Sequence, residues 1–178
     1  MNEILKDFVN HLESLPDKPS PDMIKNCVVK MGAGKLPIGE YSGFSDQRYK
    51  RNNIHASRKC EIVVICFQKG QCTPIHDHGG SRGITIIREG IMTEELFLKH
   101  QTGMISPTFT RIYRHGDISY VNLTTIHRVS NAHAHGLVTM NIYFPPLAVM
   151  NLYNPENARI EKWIADYATD GKNQTLHN

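Results

Sequence analysis

Thr73-Pro74-Ile75-His76-Asp77-His78-Gly79-Gly80 is the stretch on which the reading of this chain turns. In extended backbone, successive side chains project to opposite faces. His76 and His78 therefore share one face, and Asp77 lies on the other as a turn or supporting residue. Two imidazoles on one face can chelate a single ion. The pair alone is a weak sign, because the chain carries ten histidines. His11, His55, His100, His115 and His177 read as surface or partnered residues. His133 and His135 repeat the spacing but fall in a polar turn, where a solvent-facing hairpin tip is expected.

Around this stretch the periodicity is that of strands. The segments at 61–67, 83–90, 92–98, 108–114, 117–122, 127–132 and 137–144 are short and rich in β-branched and aromatic residues, with Gly, Asn or polar turns between them. Many such strands without intervening helices indicate an antiparallel sandwich or barrel. Ahead of them, Ile4, Leu5, Phe8, Val9, Leu12 and Leu15 recur at helical spacing. Ser20 and Pro21 then supply an N-cap and first turn for a second helix. Beyond Pro155, the positions Ile160, Trp163, Ile164 and Tyr167 predict a C-terminal helix over 155–168, followed by a frayed end. The expectation is one domain over 1–178, with helices within 1–35 and a β-barrel over 44–150.

Composition narrows the class. The 178 residues are 40% hydrophobic and 21% charged, with a formal net charge of +3. The basic residues are scattered, which argues against nucleic acid. No apolar run approaches the roughly 20 residues of a membrane span, and the first residues do not read as a signal peptide. A cytoplasmic protein, monomeric or weakly homo-oligomeric, is expected. None of the four cysteines forms a CxxC pair; Cys60 and Cys66 read as small buried hydrophobes, and Cys72, four residues before His76, would share its face at a pocket mouth only if Pro74 leaves the alternation intact.

Two further patterns flank the histidines. Gly70 precedes His76 by six positions, and Gly90 ends the strand that follows. Gly116 opens a later segment closed by His127 and, four residues on, Asn131. Together these resemble the two signatures of the cupin superfamily, which implies a mostly β double-stranded β-helix (jelly-roll) barrel. The metal ligands would then be His76, His78 and His127. The acidic ligand usual in the first signature would fall at Gly83, and neither Glu89 nor Glu94 stands at its phase. Three neutral imidazoles leave the charge of a dipositive ion uncompensated, which favours an anionic ligand such as a thiolate. Imidazole suits Fe, Zn, Cu and Ni alike.

A narrower resemblance covers about 49–147. Tyr49 and Arg51 in YKRN, PIHDH, the HRVSN segment and the closing TMNIYFPP resemble cysteine dioxygenase and its bacterial thiol dioxygenase relatives. The resemblance implies Fe(II) on the three histidines and O2 as co-substrate. It also implies a small thiol, L-cysteine or an analogue, whose carboxylate pairs with Arg51 beside Tyr49. Tyr143 would donate its hydroxyl toward substrate and oxygen, and the product would be a sulfinic acid.

The chain departs from that family in two places. Gly83 stands where the animal enzymes carry a cysteine crosslinked to the tyrosine matching Tyr143, so that crosslink is excluded. Asn141 replaces the histidine of a Ser-x-His-x-Tyr motif, with Thr139 in place of the serine. Thr139, Asn141 and Tyr143 alternate onto one face and can keep a hydrogen-bonded chain, but an amide does not relay a proton as imidazole does. Two other functions therefore stand beside the thiol dioxygenase. One is an iron oxygenase performing a variant oxidation of a cysteine derivative; the other is a non-catalytic cupin that binds a metal or small ligand.

Overall fold

The computed structural model describes residues 1–165. Helix α1 (Glu3–Glu13) is capped by the Asn2 side chain, which accepts the Leu5 N–H. Helix α2 (Pro21–Lys30) starts as its sequence predicts, with Ser20 Oγ accepting the Met23 N–H at 3.2 Å. Eleven strands follow among the described residues: β1 (Lys50–Ala56), β2 (Glu61–Phe67), β3 (Ile75–His76), β4 (Arg82–Glu89), β5 (Ile91–Lys99), β6 (Ile105–Arg114), β7 (Ile118–Val121), β8 (Ile126–Ser130), β9 (Leu137–Phe144), β10 (Val149–Tyr153) and β11 (Ile160–Ile164).

They form two antiparallel sheets, ordered β1-β2-β9-β4-β7 and β11-β10-β3-β8-β5-β6. The jumps in strand order are those of a jelly roll, the double-stranded β-helix architecture. Strands β2 and β9 are buried along their whole length, so their period of two sorts residues between two interiors. Ile62, Val64, Cys66, Val138, Met140, Ile142 and Phe144 pack under Leu5, Phe8, Leu12 and Ile24 of the helices. The alternate residues Val63, Ile65, Phe67 and Tyr143 face the space between the sheets. Cys60 and Cys66 are buried as read from the sequence, and Cys72 is exposed.

The expected C-terminal helix is corrected. Residues 160–164 form strand β11, paired antiparallel with β10 from Val149↔Ile164 to Tyr153↔Ile160. Ahead of it, Asn154 and Asn157 side chains accept the N–H groups of Glu156 and Arg159, local turns that compete with helix formation. Trp163 packs inward while Ile160 and Ile164 face solvent. The apolar positions 160, 163 and 164 follow helical spacing, but pairing with the open edge of β10 overrides it. Residues 166–168 of the expected helix, and the end beyond them, lie outside the described residues.

Candidate metal centre

His76 lies on β3, directly opposite His127 on β8; His78 follows in the extended turn after β3. The turn is held by Asp77, whose carboxylate accepts the N–H groups of Gly79 and Asn151, the Asn151 amide and the Tyr153 hydroxyl. Burial raises the Asp77 carboxyl, but these donors outweigh it and leave it below its usual range. Asp77 thus faces away from the histidines, as the alternation requires. Gly79, at φ +54, lies so close to Val149 that a Cβ would fall 2.0 Å from the Val149 carbonyl oxygen. At the far end of β8, Asn131 donates to the carbonyls of Phe67 and His135, fixing the strand that carries His127.

The three rings converge with centroids 4.7–5.0 Å apart, and one ligand atom from each lies within 4.8 Å of the others. His76 Nδ1 donates to the Pro74 carbonyl at 2.9 Å, and His127 Nδ1 to Glu94 Oε1 at 2.7 Å. These bonds define the tautomers and leave each Nε2 free as a ligand atom. His78 Nδ1 is buried without a hydrogen-bond partner. Burial, helped by the neighbouring His127, pushes His76 down to about 3, and His78 is likewise held well below its usual value. Three imidazoles whose ligand atoms gather this closely, one ring carrying an orphaned nitrogen, fit a divalent transition-metal ion. Three protein ligands leave further coordination positions open.

Around this point the inward-facing residues of the other sheet assemble. Tyr143 of β9 stacks on His78 with centroids 5.8 Å apart. Burial raises its phenol well above the usual range, despite the nearby Arg51 charge, so the hydroxyl stays protonated. Tyr49 stacks on Phe67 at 5.1 Å, and burial pushes its phenol up to about 12. Asn141 Nδ2 donates to Thr139 Oγ1 at 2.9 Å, and its Oδ1 accepts the Thr85 hydroxyl at 2.7 Å. This chain continues from Thr139 to the Ile65 carbonyl. It links Thr139 and Asn141 as anticipated, but leads away from Tyr143.

Arg51 of β1 is buried in the same cavity, with His76, His127, Tyr49 and Tyr143. Its Nη2 donates to Glu61 Oε1 at 2.9 Å, and Trp163 covers it with a ring centroid 6.0 Å away. Burial opposes the guanidinium charge, but the Glu61 carboxylate outweighs it and the pKa rises. The cavity encloses about 30 Å³. It shares Tyr49, Thr73 and Pro74 with an open cleft of about 920 Å³ that also exposes Cys72. Cys72 thus stands at the outer cleft, as its sequence position suggests. His133 and His135 lie in the connection from β8 to β9, outside the group of three; because those strands belong to different sheets, it is a crossover and not the expected hairpin tip.

Sequence reasoning missed Glu61, Glu94 and Thr85. Each carried a signal. Glu61 is an acid at the head of an otherwise apolar strand, in phase with the inward residues. Glu94 alternates with inward Met92, and it lies diagonally across from His127, because Leu96 pairs with His127 and Glu94 with Val129. Thr85 sits opposite Asn141.

Comparison with known proteins agrees with this geometry. Residues 26–156 match the family model for cysteine dioxygenase type I. Cysteine dioxygenase type 1 of Danio rerio is 26% identical over 81% of this chain and 76% of its own length. The Bos taurus protein is 28% identical over 71% of the chain and 66% of its length. The Homo sapiens protein is 27% identical over 68% and 64%, so the chain spans about two thirds of these mammalian relatives. Among solved structures, a Klebsiella pneumoniae protein with a double-stranded β-helix domain aligns with TM-score 0.57 at 16% identity, over 66% of this chain and 88% of that one. A Thermus thermophilus protein aligns with TM-score 0.53 at 14% identity, over 62% and 96%. These two likenesses speak to the fold alone.

Proposed function

The chain belongs to the cysteine dioxygenase type I family, and on that premise we propose that it is an Fe(II)- and O2-dependent thiol dioxygenase acting on L-cysteine or a close analogue. The observation that carries this reading is the convergence of three buried histidines beneath Tyr143 and Arg51. Fe(II) held by His76, His78 and His127 would supply open positions for the thiolate and for O2, and the chemistry that joins them. The overall reaction turns RSH and O2 into RSO2H. Sulfur gives up four electrons, dioxygen is reduced, and both oxygen atoms stay in the product.

The rest is the work of the chain's own side chains. Three neutral ligands favour the thiolate over the thiol. Tyr143, kept protonated by burial, offers a hydroxyl donor beside His78. Tyr49, Phe67 and Leu147 line the pocket and keep water out. Arg51 holds the end of the cavity where the substrate's far end would lie.

The test is direct. Iron-loaded protein is given L-cysteine, 3-mercaptopropionate and cysteamine in parallel, with oxygen uptake and product masses recorded. Uptake matched by a sulfinic acid gaining 32 Da supports the reading; about one O2 is consumed per product, as the stoichiometry above requires. No uptake with any thiol sinks it. A second reading, in which the same site oxidises a cysteine derivative differently, is favoured by one observation. Asn141 spends its amide on Thr85, Thr139 and the Val63 carbonyl, so no titratable group backs Tyr143 from this strand. A product mass other than that of the sulfinic acid would establish it.

A further inference from the structure

Arg51 is already neutralised. Its Nη2 donates to Glu61 Oε1 at 2.9 Å, and the two side chains are 5% and 1% exposed. The other Glu61 oxygen is also committed, accepting the Leu147 N–H at 3.2 Å, so the carboxylate is fastened at both ends. Glu61 lies on the cavity side of its sheet for a reason of register: it sits opposite Tyr143 on the adjacent strand and shares its phase. Arg51 Nε is meanwhile buried without an acceptor.

The buried charges can be balanced. Among the described residues, the buried Asp, Glu, Lys and Arg side chains are Arg51, Glu61 and Glu94, which together carry one negative charge. A dipositive ion on the three imidazoles would make the centre singly positive, and a thiolate would bring it to zero when any amine of the substrate is neutral on the ion. A substrate carboxylate reaching Arg51 would add a second negative charge in a buried site, beside the Arg51–Glu61 pair. Unpaired buried charge is costly, and like charges at such distances repel strongly where the dielectric is low. Were position 61 neutral, the same carboxylate would bring the sum to zero.

We propose that Glu61 is a specificity-determining residue that turns this site toward small thiols without a carboxylate: aminothiols, or cysteine whose carboxyl is masked as an ester or amide. This rests on the thiol reading above and narrows it. A neutral carbonyl on such a substrate would also give the Arg51 Nε–H its missing acceptor, which a carboxylate could do only at the cost of the added charge.

Cobalt-substituted protein tests this without turnover, because a thiolate reaching Co(II) produces a charge-transfer absorption band. Cysteamine, L-cysteine methyl ester, L-cysteine and 3-mercaptopropionate are titrated against wild type, Glu61→Gln and the double variant Arg51→Gln/Glu61→Gln. Wild type should bind the first two at least tenfold more tightly than the last two. Glu61→Gln should reduce that ratio at least tenfold, by strengthening the carboxylate-bearing thiols. The double variant keeps the charge sum of wild type and should keep its preference, so it decides the matter even if the lone Arg51 charge prevents Glu61→Gln from folding. Wild type favouring L-cysteine, Glu61→Gln leaving the ratio unchanged, or loss of the preference in the double variant would each overturn the inference and leave the thiol reading standing. No thiolate band with any of the four would overturn both.

Discussion

Glu94 lies outside the set of three histidines, yet it settles how one of them presents itself. It receives the His127 Nδ1 proton at 2.7 Å and is itself held by the Tyr113 hydroxyl at 3.2 Å. Burial raises its carboxyl, but the bond to His127 and the surrounding donors outweigh that and leave it ionised. Glu94→Gln should therefore weaken metal binding by about 10–100-fold, measured by competition with a chelator for Co(II) or Zn(II). An unchanged affinity would mean that the carboxylate merely fills space. Asn141 admits a complementary test. Asn141→His restores a titratable ring on the face shared with Tyr143 and should raise turnover of L-cysteine several-fold, seen as kcat rather than KM. No gain, or a loss, would mark Asn141 as adapted to another substrate. Both residues show how a site is read from sequence. The metal-binding group was readable because two ligands two residues apart in extended backbone are a local pattern, whereas Glu94 meets His127 only through strand pairing.

Among the elements, β4 and β9 are the pair that sets Tyr143. Gly83 stands opposite it, and a Cβ there would lie 2.0 Å from the Ile142 carbonyl oxygen and 3.1 Å from the Tyr143 ring. Gly83→Ala must push these strands apart, at a cost of about 1–3 kcal/mol, visible as a Tm several degrees lower. The same crowding gives a steric reason for glycine at this position beyond the exclusion of a thiol. At the other face, α1 is tied to β1 where His55 Nε2 meets Glu13 Oε1 at 2.7 Å. Burial raises the Glu13 carboxyl, but hydrogen bonds from His55, Ser57 and Cys60 outweigh it and lower the pKa. A lowered folded-state pKa contributes stability above the unfolded value of about 4.5 and loses it as pH falls through the folded value. The Tm difference between wild type and Glu13→Gln should thus be largest near neutrality and shrink on acidification below about pH 4.5; a difference that grows there would refute the assignment. Strand β11 shows the opposite limit. Its apolar spacing predicted a helix, and the free edge of β10 made it a strand.

Across the whole molecule, two sheets and two helices enclose two interiors, one purely apolar and one that holds the site. Burial pushes the Cys60 and Cys66 thiols up to about 12, while Cys72 is exposed in the outer cleft. A thiol reagent at neutral pH should label Cys72 first and reach Cys60 and Cys66 only on unfolding, as mass mapping of the labelled native protein would show. No helix among the described residues is long and apolar enough to cross a membrane. Periodicity in the chain was enough to specify the β-rich class, the two leading helices, the capping Ser20 and the shared face of His76 and His78, because each depends on neighbours within a few residues. The partners of the charged groups depend on the meeting of distant strands. Arg51 reads as a free guanidinium until β1 and β2 pair and Glu61 comes beside it. His127 reads as a bare ligand until β5 brings Glu94 behind it. Residues 160–164 likewise read as helix until an unpaired edge offered hydrogen bonds. Local spacing determined where a metal can sit, and the folded arrangement of charge around it decided what can be bound there.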